Sequence, residues 1–435
     1  MAIGSEIHGL ASALWGFDRS LTGDGVRQTL KKLKEHIPDL QIREIPTGTQ
    51  VFDWKIPKEW NVKDAWIITP NGEKICDFKS NNLHLVGYSI PVKRKLSLPE
   101  LQGHLHSLPD QPNAVPYITS YYKERWGFCL TQIEREKLVD GEYEVFIDSK
   151  LFDGSMTYGE LIIPGESSRE VFLSTYVCHP SMANNELSGP TVTTFIAKWL
   201  LSLNNRKYTY RIVFIPETIG SIAYLSKNLQ GLKNNVIAGF NVSCIGDEQA
   251  YSYMPSRNGD TLSDKVAIHV LAHTDVNFIS YEWKDRGSDE RQYCAPLVDL
   301  PIAGILRSKW LAYEEYHTSL DDLETVVTPD GLEGGYGALK NALETIERHC
   351  FPVVTTLCEP QLGKRGLYPT LSDKNTKGQV GLMMEILTWS DGTKSLIEIA
   401  DICGVPVWDL YPIVDTLVLN DLLTLSHERL VFDAN

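Results

Sequence analysis

The 435 residues predict an α/β fold: a mostly parallel sheet with helices on both faces, interrupted by a β-rich insertion and followed by a winged helix-turn-helix. Three observations carry this. Between about 153 and 350, apolar strand-like runs alternate with helical periodicity, the pattern of strands joined by crossover helices. From 46 to 152 helical periodicity gives way to short alternating strands, aromatic turns and many prolines. After 350, three short helices lead into a β-tail.

Each element has a local reason. Residues 1–45 carry apolar positions at helical spacing from Val26 to Leu33, a stop at Pro38, and then a strand-like stretch. These helices are expected to pack on the later sheet. The α/β domain is then 1–45 together with 153–350, and residues 46–152 are an insertion. Within the insertion, AWIITPNGEKICDF reads as two strands around a Pro-Asn-Gly turn.

The α/β part runs through strands GELIIPG and VFLSTYV, helix TVTTFIAKWLLSLN, strand YRIVFIP and helix GSIAYLSKNL. Strand VIAGFNVSCIG, helix DKVAIHVLAH, strand PIAGILRS and helix GALKNALETIERH complete it. Pro352 to about Gly378 reads as irregular, with PTLSDKNTKG as a polar linker. In the 351–435 domain, LMMEILTWS, SLIEIADICG and VWDLYPIVDTLVLNDL read as helices, LLTLS as a strand and RLVFD as a last edge. Ser395 with Glu398 forms a capping box, and Gly404 stops that helix.

Composition narrows function. With 43% hydrophobic and 22% charged residues, a sizeable core is available. A net charge of −15 argues against a phosphate-tracking surface. No apolar run reaches the ~20 residues of a membrane span, and no signal peptide is read at the N-terminus. The eight cysteines form no CxxC pair and are expected as reduced thiols in a cytoplasmic protein. Residues 351–435 hold six Lys/Arg against eleven Asp/Glu, a net of −5, and the last helix has no basic residue. A recognition helix needs basic flanks, so the winged helix is expected to pack or to bind protein rather than DNA.

Two remote segments look like halves of one metal site. VFLSTYVCHPSMANNELSGP, residues 171–190, is an apolar run ending at His179 and then a polar loop closed by small residues. EYHTSLDD, residues 315–322, carries His317. An open α/β sheet presents ligands at the carboxyl ends of its strands, and imidazole suits zinc. Cys178 adjoins His179, but strand neighbours point to opposite faces, so their side chains are not expected to meet.

Five segments in order resemble the di-zinc aminopeptidase superfamily, which includes the glutaminyl cyclases. They are His179 with ANNELSG, PETIGS at 216–221, FNVSCIGDEQ at 240–249, RGSDERQY at 286–293 and EYHTSLDDLE at 315–324. The arrangement is similar to a bacterial branch of aminopeptidase-like proteins associated with polysaccharide biosynthesis, with an inserted β-rich module and a C-terminal winged helix. The resemblance implies a zinc-exopeptidase-like sheet and an aminopeptidase-like metallohydrolase. It makes His179 and His317 metal ligands and places Glu217 as general base. It assigns Asn185, Asp289, Arg291 and Tyr316 to the substrate pocket, with Arg257 as a further lining residue.

The chain departs from that pattern in its acids. Ser181 stands two residues after the first histidine, Asn185 at the bridging Asp, Thr218 at the second Glu and Ser243 at the fourth-strand Asp. Glu186 and Asp247 are the nearest acids that could complete a ligand set with the two histidines. One zinc ion is expected rather than two. The expected function is a zinc-dependent amide or peptide hydrolase on a small or modified substrate, with a catalytically silent scaffold as the alternative. A small-molecule or peptide-like substrate and a protein partner for the winged helix are the expected partners; no membrane or nucleic acid is.

Overall fold

The computed structural model describes residues 2–367 and 374–430. The main sheet has eight strands. In chain order they include β1 (Gln41–Pro46), and beyond the insertion β5 (Ser155–Ile163), β6 (Ser167–Tyr176), β7 (Tyr208–Ile215), β8 (Val236–Asn241), β9 (Ser252–Met254), β10 (Ile279–Ser280) and β11 (Ile302–Leu306). Their spatial order is β1-β5-β7-β6-β8-β11-β9-β10. The centre is parallel: β6 pairs in parallel with β7 and β8, and β8 with β11. The β1–β5, β5–β7 and β9–β11 pairs are antiparallel. β6 is buried without a break from Glu170 to Tyr176, as a strand covered on both faces must be.

Helices α1 (Ile3–Leu14) and α2 (Asp24–His36) pack against α3 (Ser188–Ser202), the crossover that follows β6. Helix α4 (Ile219–Asn235) follows β7, α5 (Leu262–Thr274) precedes β10 and α6 (Pro329–Glu347) follows β11 in the chain. The N-terminal helices thus do pack on the later sheet, and β1 joins its edge.

The insertion forms its own antiparallel sheet from β2 (Glu59–Ile68), β3 (Val92–Ser97) and β4 (Glu142–Phe152), with Lys74–Ile75 on the outer side of β2. The expected Pro-Asn-Gly hairpin is present, with Ile67 opposite Ile75. One apolar core joins the insertion to the main sheet, from Trp60, Tyr88 and Val145 to Phe172 and Val213. A half-buried ion pair reinforces the junction: Arg27 on α2 donates to both Glu59 oxygens at 2.6 and 2.8 Å.

The chain divides into two compact units, Met1–Ser263 with Phe278–Leu339, and Asp264–Asn277 with Lys340–Asn435. The helix read in DKVAIHVLAH therefore groups with the C-terminal unit. There, β12 (Phe351–Val354) pairs antiparallel with β13 (Leu423–Ser426), and α7 (Lys374–Trp389), α8 (Leu396–Cys403) and α9 (Val407–Leu419) pack on one another. The Ser395–Glu398 capping box and the left-handed Gly404 stop are both present.

Three expectations fail here. Residues 351–354 are strand rather than irregular, because their partner lies about 70 residues downstream and supplies the ladder. Part of the expected linker, 374–378, already belongs to α7, and 368–373 lie outside the described residues. Of the last edge, Arg429 and Leu430 are not strand, and 431–433 are outside the described residues. Among the described residues no single helix is long and apolar enough to cross a membrane.

Candidate active site

The site grows from the carboxyl end of β6. That strand ends at Tyr176, and Val177 makes the last rung to Ile215 at 2.9 Å. Cys178 and His179 lie beyond the pleat, so strand alternation no longer governs them. Contrary to expectation their side chains meet, Cys178 Sγ lying 3.5 Å from His179 Nδ1. The thiol is no nucleophile: burial holds its pKa well above the usual range, and its sulfur accepts the Glu217 amide at 3.2 Å.

The polar loop is not a surface loop. After Ser181, at φ +33°, the chain closes a wholly buried π-helical turn, Ala183–Leu187, and runs into α3. Such turns recur at functional sites because they re-aim side chains. Gly189 lets α3 approach the sheet, since a Cβ there would sit 2.5 Å from the Val242 carbonyl oxygen. Asp321 pins the turn: its carboxylate accepts the amides of Asn184 (2.7 Å) and Asn185 (3.0 Å) and the Tyr313 hydroxyl (2.9 Å). Asp321→Ala would leave three buried donors unpaired, at about 1–3 kcal/mol each. Denaturant titration is expected to show a loss of at least about 3 kcal/mol.

Glu186, on that turn, takes His179 Nδ1 at 2.9 Å, and its other oxygen lies 3.4 Å from Arg19 Nε. Arg19, 1% exposed, also donates to the carbonyls of His179 (2.9 Å) and Leu14 (2.6 Å). When the Arg19 guanidinium holds Glu186 ionised, His179 donates through Nδ1 and keeps its Nε2 lone pair free. Burial opposes the charged forms throughout, raising Glu186 to about 8 and lowering His179 to about 3. His179 Nε2 faces Glu217 at 3.8 Å. Burial, and then the neighbouring Asp289, push the Glu217 carboxyl upward.

His317 is seated by the insertion. Tyr117 N–H donates to the His317 carbonyl at 2.8 Å, and Ser319 N–H to the Val115 carbonyl at 2.9 Å. The Tyr117 ring thereby stands edge-on against both imidazoles, 5.2 Å from each. The imidazole centres are 5.5 Å apart. Tyr316 stacks on His317 at 3.9 Å, and burial lowers the His317 pKa to about 3. Among the described residues the His317 ring nitrogens make no hydrogen bond. Ser181, Thr218, Cys244 and His317 all hold positive φ, a concentration of backbone strain expected where function fixes geometry.

The other sequence-nominated residues divide. Asn185 accepts the Tyr176 hydroxyl at 3.3 Å, and its Nδ2 is buried without a partner. Asp289 accepts Thr218 N–H and Ser221 Oγ, both at 2.8 Å, and Arg291 donates to Thr218 Oγ1 at 2.7 Å. Asp247 is saturated: it takes Asn184 Nδ2, Gln249 N–H and both the amide and hydroxyl of Ser308, which makes it a structural link rather than an available ligand. Glu186 likewise serves as the orienting partner of His179. Arg257 is not brought to this group by any bond; it forks onto Asp299. Arg19, Tyr117 and Asp321 were not foreseen. Only Asp321, four residues after His317, lay inside a nominated segment.

Known proteins resemble this chain in sequence and fold. A Clostridium acetobutylicum protein named, provisionally, for polysaccharide biosynthesis with an aminopeptidase-like domain is 44% identical over 97% of this chain and 96% of its own. A crystal structure of a protein from the same organism, provisionally called a peptidase, superposes with a TM-score of 0.91 at 43% identity, covering 97% and 96% of the two chains. The zinc aminopeptidase BSAP of Bacillus subtilis shares the fold at 12% identity and a TM-score of 0.56, over 79% of this chain and 94% of that one. Residues 350–425 match a winged helix-turn-helix family. Residues 8–349 match the family described as a domain of unknown function (DUF4910), and the chain belongs to that family, an aminopeptidase-like fold joined to a winged helix-turn-helix.

Proposed function

We propose that this protein is a zinc-dependent amide or peptide hydrolase acting in the cytoplasm on a small or modified substrate of surface-polysaccharide metabolism. The observation that carries the reading is the facing pair His179 and His317. Two imidazoles on one tetrahedral ion, with zinc–nitrogen bonds of ~2.0–2.1 Å, have ring centres roughly 5–5.5 Å apart. The observed 5.5 Å fits one shared ion. Two protein donors remain for the ion: Glu186 orients His179 as a carboxylate partner does for a metal-bound histidine, the His317 ring is otherwise unbonded, and water or substrate would have to complete the coordination. When bound, zinc would supply Lewis acidity toward an amide carbonyl.

The chain's own residues do the rest. Glu217, beside His179, is placed to take a proton from the attacking water. Arg291 opposes the upward push on its pKa. Tyr117, Tyr176 and Tyr316 wall the imidazoles in aromatic surface and exclude bulk water. The name of the Clostridium relative supports the polysaccharide setting.

Metal analysis of protein purified without added zinc tests the reading. About one equivalent is expected, falling below about 0.1 in His179→Ala and in His317→Ala. Less than half an equivalent, unchanged by the substitutions, would count against it.

A second reading is a catalytically silent scaffold. It is favoured by Asn185, Thr218 and Ser243 at acid positions and by the saturated Asp247. Glu217-dependent turnover of any aminoacyl or acylated amino-sugar amide, with zinc, cobalt or manganese, would end it.

A further inference from the structure

Arg291 differs from three paired arginines around the sheet. Arg27 forks onto Glu59, Arg211 onto Glu170 and Arg257 onto Asp299. Arg291 is exposed, and among the described residues no carboxylate lies within 4 Å of it, in a chain of net charge −15. Its sequence neighbours Asp289 and Glu290 do not pair with it. Asp289 is engaged by Thr218 and Ser221. Glu290 accepts the Gly287 and Ser288 amides at 2.8 and 3.0 Å and Asn241 Nδ2 at 3.1 Å.

The guanidinium is nevertheless aimed. Nη2 donates to Thr218 Oγ1 at 2.7 Å, and Thr218 is held at φ 64°, ψ −75° by its own amide bond to Asp289. A β-branched residue in that conformation costs free energy. The bond to Thr218, the residue next to Glu217, keeps the guanidinium at the rim of that pocket. A planar guanidinium with free N–H groups matches carboxylate or phosphoryl oxygens two at a time.

We propose that Arg291 is a specificity residue that binds a negatively charged group, carboxylate or phosphoryl, carried by the substrate at the rim of the Glu217 pocket. The assignment rests on the preceding reading only in calling the occupant a substrate. The competing role, a counter-charge that merely offsets Glu217, predicts no ligand preference.

The test compares hippurate, phenyl phosphate and neutral hippuramide by calorimetry on the full chain, as purified and again after chelation, so that a carboxylate–metal bond cannot supply the affinity. One anion is expected to bind at least ~10-fold tighter than hippuramide, and which one identifies the group. Arg291→Gln should remove that preference with hippuramide unchanged, and Arg291→Lys should keep part of it. Rising salt should weaken the anion alone. Equal binding of all three probes, no saturable anion binding up to ~10 mM, or an anion preference that survives Arg291→Gln would overturn the proposal. Zinc content and amide turnover are separate readouts, so either can fail without the other.

Discussion

Glu186→Ala is expected to lose about 3–5 kcal/mol of stability, the scale for breaking a fully buried ion pair from one side. The substitution leaves Arg19, 1% exposed, without its Glu186 counter-ion and with Asp18 as the remaining acidic neighbour, and removes the acceptor of His179 Nδ1. Zinc affinity should fall about 10- to 100-fold, the usual penalty for losing the partner of a ligating histidine. Urea titration and chelator competition measure the two effects. Glu186→Gln separates them: the amide oxygen can still accept from Nδ1, so affinity should largely return, while the missing charge keeps the protein destabilised. If Glu186→Ala is as stable as the parent, the Arg19–Glu186–His179 chain does not hold the site together.

Glu217→Gln is expected to lower kcat on any amide substrate about 10²- to 10⁴-fold, the range for removing a general base. Glu217 is positioned by Pro216 at the end of β7 and by its amide bond to Cys178, neither of which the substitution touches. The fold and the zinc content should therefore be unchanged, and the loss should fall on kcat rather than on KM. Turnover equal to the parent, with zinc at one equivalent, would remove Glu217 from the chemistry and leave Asp289 as the nearest carboxyl whose charge it feels.

The parts of this molecule legible in its sequence are those set by short-range pattern. The run from Val171 to Tyr176 had to be a doubly covered strand, and Ser395, Glu398 and Gly404 mark a helix by local chemistry alone. His179 and His317 could be nominated because each sits in a distinctive segment. What escaped depends on distance along the chain. Arg19 meets Glu186 across 167 residues, and Asp321 meets Asn184 across 137. Phe351–Val354 became a strand only through Leu423–Ser426. The contact of Cys178 with His179 was misjudged for a local reason, since the strand ends two residues before Cys178.

The insertion lends Tyr117 to the centre and seats His317, about 200 residues later, through paired backbone. Loop closure over such separations makes these among the later contacts to form. During synthesis, domains fold roughly from the N-terminus as they leave the ribosome. A nascent chain stopped anywhere before His317 would hold one imidazole, the orienting glutamate and the base, yet no complete centre. On the proposed function, the topology acts as a safety catch, keeping a half-made site inert until nearly three-quarters of the polypeptide has emerged.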